Sequence, residues 1–372
     1  MGVPVVQVNN LNLIQGEFDE VERYFLFVGR GSGTNESKLL TINTDTDLDD
    51  VLGSADSNLK KQIELAKLNA GQNWNAAVYP LADLESWADA VDYCMDQIVV
   101  EAIVITDAVA DSTEVEAMQA KAETIMAEYM NPLFFIGTTR AMDEAESWSD
   151  FLAAIKPITK DIAADQVSIV PTLWGFDLGT YAGRLSNRAV TVADSPMRVA
   201  TGALLGSWSA KPTDKDGREI DRGILSSLEA ARFSVPYWYP SYPGIYWADG
   251  NMLDVPAGDY QCVENLRVVQ KAMRRVYPLA VARIADRKLN STPASIAANQ
   301  TYFMRPLREM SRAVEIMGIQ FPGEIKPPKD GDITINWKTK YQVEIYMVVT
   351  PYNCPKSITC NLMLDLSNQA EA

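Results

Sequence analysis

Apolar positions recur along this chain with two periods, and where each applies outlines the organisation. Between residues 22 and 175 short apolar runs alternate with amphipathic stretches. ERYFLFVGR, NAAVYPL, EAIVITD, PLFFIGT and VSIVPTLWG read as buried strands. Between them, SNLKKQIELAKLNA, SWADAVDYCMDQI, STEVEAMQAKAETIMAEYM and EAESWSDFLAAIKPI bring apolar residues back every three or four positions, the period of a helix with one buried face. Strands that are apolar throughout, alternating with helices, predict an α/β layer with a largely parallel sheet.

The pattern then loosens. DLGTYAGRLSNR and RGILSSLEAARF are helical in period and flank a polar stretch, SAKPTDKDGREIDRG, that predicts an exposed loop. The aromatic, turn-rich SVPYWYPSYPGIYWADGNMLDVPAGDY predicts a packed hairpin at a domain junction. From Val263 a long helix is expected, with Leu266, Val269, Met273, Val276 and Ala280 as its buried stripe. Arg267, Lys271, Arg274 and Arg275 fall on its other side, Pro278 is expected to kink or interrupt it, and Arg283, Arg287 and Lys288 extend the basic character. Arg305, Arg308 and Arg312 form a second basic row at helical spacing.

DITINWK, KYQVEIYMVVTPY and SITCNLMLDLS alternate with period two and predict strands. In the last, Ile358, Cys360, Leu362 and Leu364 share one side, and such a face needs a sheet to join. Residues 3–14 are also apolar and extended in pattern, with Val5, Val6 and Val8 following Pro4, which suits an edge strand or an arm. The expected divisions are an N-terminal strand arm (1–21), an α/β part (22–250), an α+β part (251–350) and a C-terminal strand arm (351–372). The turn formers at 14–22 and Pro351–Pro355 mark the expected hinges.

Charge changes this picture. The chain of 372 residues carries a formal charge of −16, unevenly spread. Residues 1–150 hold eight Lys and Arg against 27 Asp and Glu, whereas residues 261–372 hold fifteen against ten. A molecule polarised in this way presents its two ends to different surroundings. A pI near 4.6 opposes binding to nucleic acid, because the field of the whole chain repels phosphates. No apolar run approaches the ~20 residues that span a bilayer, and MGVPVVQVNN lacks the basic and apolar regions of a secretory signal.

Candidate chemistry narrows quickly. The chain has no histidine, which removes Ser-His-Asp and Cys-His catalysis and the HExxH zinc site. Cys94, Cys262, Cys354 and Cys360 match no metal or redox spacing, and each is expected to be a small buried hydrophobe. GRGSGTNES lacks the Gly-Lys-Ser/Thr of a phosphate loop and is expected to be a hairpin loop. TDTDLDD lacks the glycine and glutamate of a calcium loop and reads as an acidic helix start. Asp107 and Asp111, at a strand end, are the one carboxylate pair an enzyme could use, and no nucleophile or glycine cradle accompanies them. No cofactor is expected. An α/β enzyme using a carboxylate or cofactor site remains the alternative reading.

Three stretches carry a resemblance: IYWADGNMLDVPAGDYQCVENLRVVQKAMRRV, ARIADRKLNSTPASIAANQTYFMRPLREM and GEIKPPKDGDITINWKTKYQVEIYMVVTPYNCPKSITCNLMLDL. The chain resembles the tail sheath proteins of contractile-tailed bacteriophages, in a compact branch, most densely over residues 245–367. The resemblance implies a structural, non-enzymatic virion subunit, assembled in the host cytoplasm, that stacks in six-fold rings around a tail tube. It implies as partners further copies of the chain, the tube protein and the baseplate and terminator proteins, with no nucleic acid and no membrane insertion. It also implies that terminal arms of neighbouring subunits complete the C-terminal sheet. Arg267, Lys271, Arg274, Arg275, Arg283 and Arg287 would then face the tube. Val5, Val6, Val8, Ile358, Cys360, Leu362 and Leu364 would lie in the exchanged strands.

Overall fold

The computed structural model describes residues 21–363. Strands Phe25–Arg30 (β1), Leu40–Asn43 (β2), Asn75–Leu81 (β3), Ala102–Val109 (β4), Phe134–Ala141 (β5) and Val167–Thr172 (β6) form one sheet in the order β2-β3-β1-β4-β5-β6. All neighbours pair in parallel except β2, which runs antiparallel along the outer edge of β3. Alternate residues of the central strand serve two apolar layers. Leu26 and Val28 point to one layer with helices Trp87–Met95 (α3), Ser112–Tyr129 (α4) and Trp148–Ile155 (α5). Phe25 and Phe27 point to the other, with Asn58–Ala70 (α2) and Asp177–Leu185 (α6). The expected α/β layer with a mostly parallel sheet is therefore present.

Side-chain caps start these helices where the sequence supplies them. Asp47 caps the short helix Leu48–Leu52 (α1), Ser57 caps α2, and Asp111 caps α4, each accepting from a backbone amide of the first turn. The acidic stretch at 45–50 is thus a helix start, as its composition suggests.

GRGSGTNES does not close a hairpin, because β3 lies between β1 and β2. The central position goes to the strand that is apolar on both faces, and the half-exposed LTIN is left for the edge. The polar loop 209–223 is also less free than its composition suggests. Asp214 within it is buried, and the indole of Trp148 on α5 donates to the carbonyl of Arg218 at 2.8 Å. It leads into helix Arg222–Glu229 (α7), and the aromatic stretch then forms the expected hairpin from Pro236–Tyr237 (β7) and Tyr246–Trp247 (β8).

Helices α2 and α6 touch along their backbones. A Cβ on Gly179 would lie 2.0 Å from the carbonyl oxygen of Gln62, and one on Gly183 would lie 2.4 Å from that of Ala66. Small residues four apart on α6 are what permit this approach.

The chain ends in a second layer. Helices Val263–Val281 (α8) and Pro293–Met310 (α9) pack beside a hairpin of Val314–Ile316 (β9) and Ile319–Phe321 (β10), and beside an antiparallel pair, Ile333–Trp337 (β11) and Val343–Met347 (β12). Phe303 and Met304 of α9 meet Ile333 and Ile335 of β11, with Val343, Ile345 and Met347 of β12 half-buried against them. The period-two alternation expected of the middle strand is present over β12. Pro278 does not interrupt α8, which continues to Val281. Of the cysteines, Cys94 is buried as expected, Cys262 is half-buried, and Cys354 and Cys360 are exposed because the segment carrying them leaves the core.

The backbone contact of α2 and α6 makes a sharp prediction. Gly183→Ala should force the helices apart and cost roughly 1–3 kcal/mol, the usual penalty of overpacking. Thermal unfolding should show the loss, and Gly179→Ala, whose added carbon meets the backbone of Gln62, should show one as well.

Candidate functional site: helix α8 and the chain termini

Helix α8 joins the two layers, and it is buried on both sides over its first ten residues. Val263 and Leu266 enter the apolar layer that holds α2 and α6, while Val268 and Ala272 pack with Leu307 and Met310 of α9. Met273, expected within the buried stripe, is exposed.

Charged residues occupy the remaining face. Glu264, Arg267, Lys271 and Arg274 stand at steps of three, four and three, which puts them in one line along the helix. Arg267 forms a bidentate pair with Glu101 at the start of β4, Nε to Oε1 at 2.7 Å and Nη2 to Oε2 at 2.8 Å. The backbone amide of Arg23 also donates to Glu101. Burial acts to push the Glu101 carboxyl up, but the Arg267 charge and its hydrogen bonds, with Arg274 beyond, outweigh it and hold the group below its usual range. Arg274 donates to Glu22 at 3.1 and 3.2 Å and to the carbonyl of Pro132 at 2.7 Å. Lys271 donates to Glu324 at 2.6 Å, and Gln270 to the carbonyl of Leu133 at 2.9 Å.

This corrects the expected tube-facing set. Arg267, Lys271 and Arg274 are turned into the protein and neutralised by its own carboxylates, 2%, 8% and 8% of each side chain remaining exposed. The physical reason is that an unpaired buried charge is prohibitively costly, so a helix covered on every side must bring its cations to acids. Arg283 lies outside that core, yet it is held by Asp286 and Asn299 and stacks on Tyr302 at 3.9 Å. Arg275 is half-buried and Arg287 is exposed. Arg305, Arg308 and Arg312 of the second basic row are exposed as well.

At the C-terminal side, residues 350–356 and Ile358 line a groove of about 940 Å³ together with Thr191, Asp194, Arg198 and the start of α8. The Lys356 ammonium sits between Asp249, at 2.6 and 2.7 Å, and Glu264, at 2.9 Å. Burial acts to push the lysine down, but the two carboxylates outweigh it and raise it well above its usual value. Burial raises the Glu264 carboxyl, with Lys356 opposing. Residues 357–363 carry no helix or strand, where a strand was expected, and Ile358, Leu362 and Met363 are 74%, 97% and 93% exposed. Cys360 is exposed too. Val5, Val6, Val8 and Leu364 lie outside the described residues.

The strand ends offer no catalytic constellation from the expected pair. Asp107 is paired with Arg30, and Asp111 is taken up by the amide of Thr113 at the start of α4.

The sequence matches a family in two parts, described as the DUF2586 N-terminal domain over residues 3–251 and the DUF2586 C-terminal domain over residues 259–367. It is 47% identical to a "Putative tail sheath protein" of Haemophilus phage HP1 (strain HP1c1), over 99% of this chain and 100% of that one. The chain belongs to the DUF2586 family of phage tail sheath proteins. Its fold is similar to that of the sheath in an extracellular contractile injection system, the PVC sheath complex in its contracted state, with a TM-score of 0.64 and 11% identity over 99% of both chains. A sheath tail protein from Listeria innocua matches with a TM-score of 0.58 and 10% identity, over 89% of this chain and 92% of that one.

Pattern alone missed the acids that receive the α8 cations in this DUF2586 protein. A signal was nonetheless present, since Glu101 is a lone acid inside the apolar run IVVEAIVI. A single carboxylate at the head of a buried strand asks for a cation from elsewhere in the chain.

Removing one partner of such a pair strands the other. Arg267→Met should cost about 3–5 kcal/mol in chemical denaturation, and Glu101→Gln in the same chain should recover part of that loss. The sign of the pH effect follows from a depressed carboxyl. The stabilisation by Glu101 is present above its unfolded value of 4.5 and is lost as pH falls through the lower folded value. Wild-type stability should therefore fall more on acidification below about pH 4.5 than that of the double variant.

Proposed function

We propose that this chain is the structural subunit of a contractile phage tail sheath, polymerising as stacked rings around the tail tube and shortening to drive it through the host envelope. The observation that carries this reading is the apolar C-terminal segment. Ile358, Leu362 and Met363 are left in solvent, and the β11–β12 sheet has two strands among the described residues, an arrangement suited to pairing with another copy. Kinship with the Haemophilus phage HP1 protein supports the same reading.

In this proposal residues 1–21 and 351–372 are arms, 22–250 the outer part and 251–350 the tube-facing part. Neighbouring arms complete the β11–β12 sheet, with Val5, Val6, Val8, Ile358, Cys360, Leu362 and Leu364 in the exchanged strands. Head-to-tail contacts that do not close on themselves give a helical polymer of six-fold rings. The tube, baseplate and terminator proteins are its further partners, the subunit is not an enzyme, and it assembles in the host cytoplasm before becoming part of the virion.

The cations suited to the tube are those left exposed on the C-terminal layer, Arg287 with Arg305, Arg308 and Arg312, joined by the half-buried Arg275. Each such contact is worth only ~0.2–1 kcal/mol at a surface. Repetition along a tail makes the sum large while leaving each contact easy to release.

Electron microscopy and sedimentation of the purified protein should find long tubular polymers or very large complexes. Deleting residues 357–372 should leave a soluble folded core that does not polymerise, and a truncated chain that still built normal sheaths would refute strand exchange. Reversing Arg287, Arg305 and Arg308 to glutamate should weaken assembly on tubes, most strongly at low salt, where charges interact over longer distances. Unaltered binding by that folded variant would exclude these residues from the tube contact.

A further inference from the structure

The charged row on α8 does more than hold the two layers together. Its ends meet Glu22, close to the first described residue, and Lys356, after which residues 357–363 are exposed. Arg274 holds Glu22, two residues into the described chain, and Glu22 is itself only 5% exposed. Ten positions earlier on the same helix, Glu264 and Asp249 enclose the ammonium of Lys356, immediately before the exposed segment 357–363. At 1.5 Å per residue these two attachments are roughly 15 Å apart along one rigid element. Between them, Arg267 and Lys271 fasten α8 to Glu101 and Glu324.

We propose that α8 is the mechanical link between the two arms of the subunit, with Glu22–Arg274 and Glu264–Lys356–Asp249 as the clasps at the arm roots. Tension applied to one arm by a neighbouring subunit then reaches the other arm through a single helix braced on the head of β4. This rests on the reading of both termini as arms. It also moves the expected C-terminal hinge. Pro351–Pro355 cannot swing freely, because Pro351 bridges Ile325, the amide of Lys326 donates to the carbonyl of Thr350 at 2.8 Å, and Lys356 is clasped. The arm pivots from Ser357 onwards.

The geometry explains why a lysine is needed at the root. A single ammonium donates to carboxylates on two different elements, the loop after β8 and the first turn of α8, and so ties residue 356 to both. An apolar side chain of similar length would fill the space without joining the two elements. Glu264 is only 5% exposed, so losing Lys356 also leaves a buried carboxylate uncompensated.

The test uses full-length Lys356→Met, Glu22→Gln and the double variant, assembled into sheaths and followed by the rate of subunit release in mild denaturant. The 357–372 deletion serves as control. Hydrogen exchange of the unassembled protein should quicken over residues 351–356 in Lys356→Met, with β1 and β4 unchanged. Links in series fail at the weaker one. Each single change should raise the release rate about tenfold, and the double change should raise it no further than the larger single effect. A product of the two effects, about a hundredfold, would mean the arms are anchored independently and would overturn the proposal. Exchange at 351–356 or release rates like those of the wild type would do the same. If the 357–372 deletion assembles normally, the arm reading itself fails. If that deletion abolishes assembly while the rates multiply, only the link through α8 is refuted.

Discussion

The pairing of Arg267 with Glu101 is the constraint on which the arrangement depends. Both groups are sealed from water, both oxygens of the carboxylate are engaged by the guanidinium, and the amide of Arg23 completes the site. A bidentate fork of this kind fixes a distance, a plane and a rotation about the helix axis together. It sets α8 against the head of β4, and the other members of the row then find partners without further adjustment. Arg274 falls on Glu22, Gln270 on the carbonyl of Leu133, and Lys271 on Glu324.

Apolar residues would have joined these layers at lower cost, since a buried ion pair rarely outperforms hydrophobic packing of the same volume. What they would not supply is register. A helix held by leucines can slide or roll by a turn at modest loss, whereas one held through Arg267, Gln270, Lys271 and Arg274 has a single position in which none is stranded. For a subunit repeated many times along a tube, a small error of orientation in each copy would accumulate. Uniqueness of the join between layers is therefore worth more here than its strength.

The α/β half of the chain was legible because its strands and helices differ in period and its helix caps are local. The strand order was not. Nothing in GRGSGTNES says that the following strand will leave β1 and settle on the far side of β3, since that choice depends on which strand is apolar on both faces. The candidate site failed in an instructive way. Arg267, Lys271 and Arg274 were visible as a row, and a basic row opposite an apolar stripe looks like a solvated face. Their partners stand 166, 53 and 252 residues away, beyond the reach of any periodicity. Arg287 and the α9 row, Arg305 and Arg308, do reach solvent, and helical spacing alone does not separate them from the buried row.

These contacts also determine where a contractile assembly can yield. Breaking one buried pair on α8 costs about 3–5 kcal/mol, because a charge is left without water or partner. A contact between exposed charges costs ~0.2–1 kcal/mol, and in the proposed strand exchange the exposed segment 357–363 gains a sheet edge without stranding any buried charge. Under load the weaker class gives way first. The two layers of the subunit should then travel as one body while surfaces and arm connections rearrange, which is how packed elements with two discrete arrangements store and release free energy. The extended state need only be trapped kinetically for this to work, held by many small contacts that fail together once the first ring moves. The division between strong buried charge pairs and weak exposed ones thus separates what stays rigid from what slides.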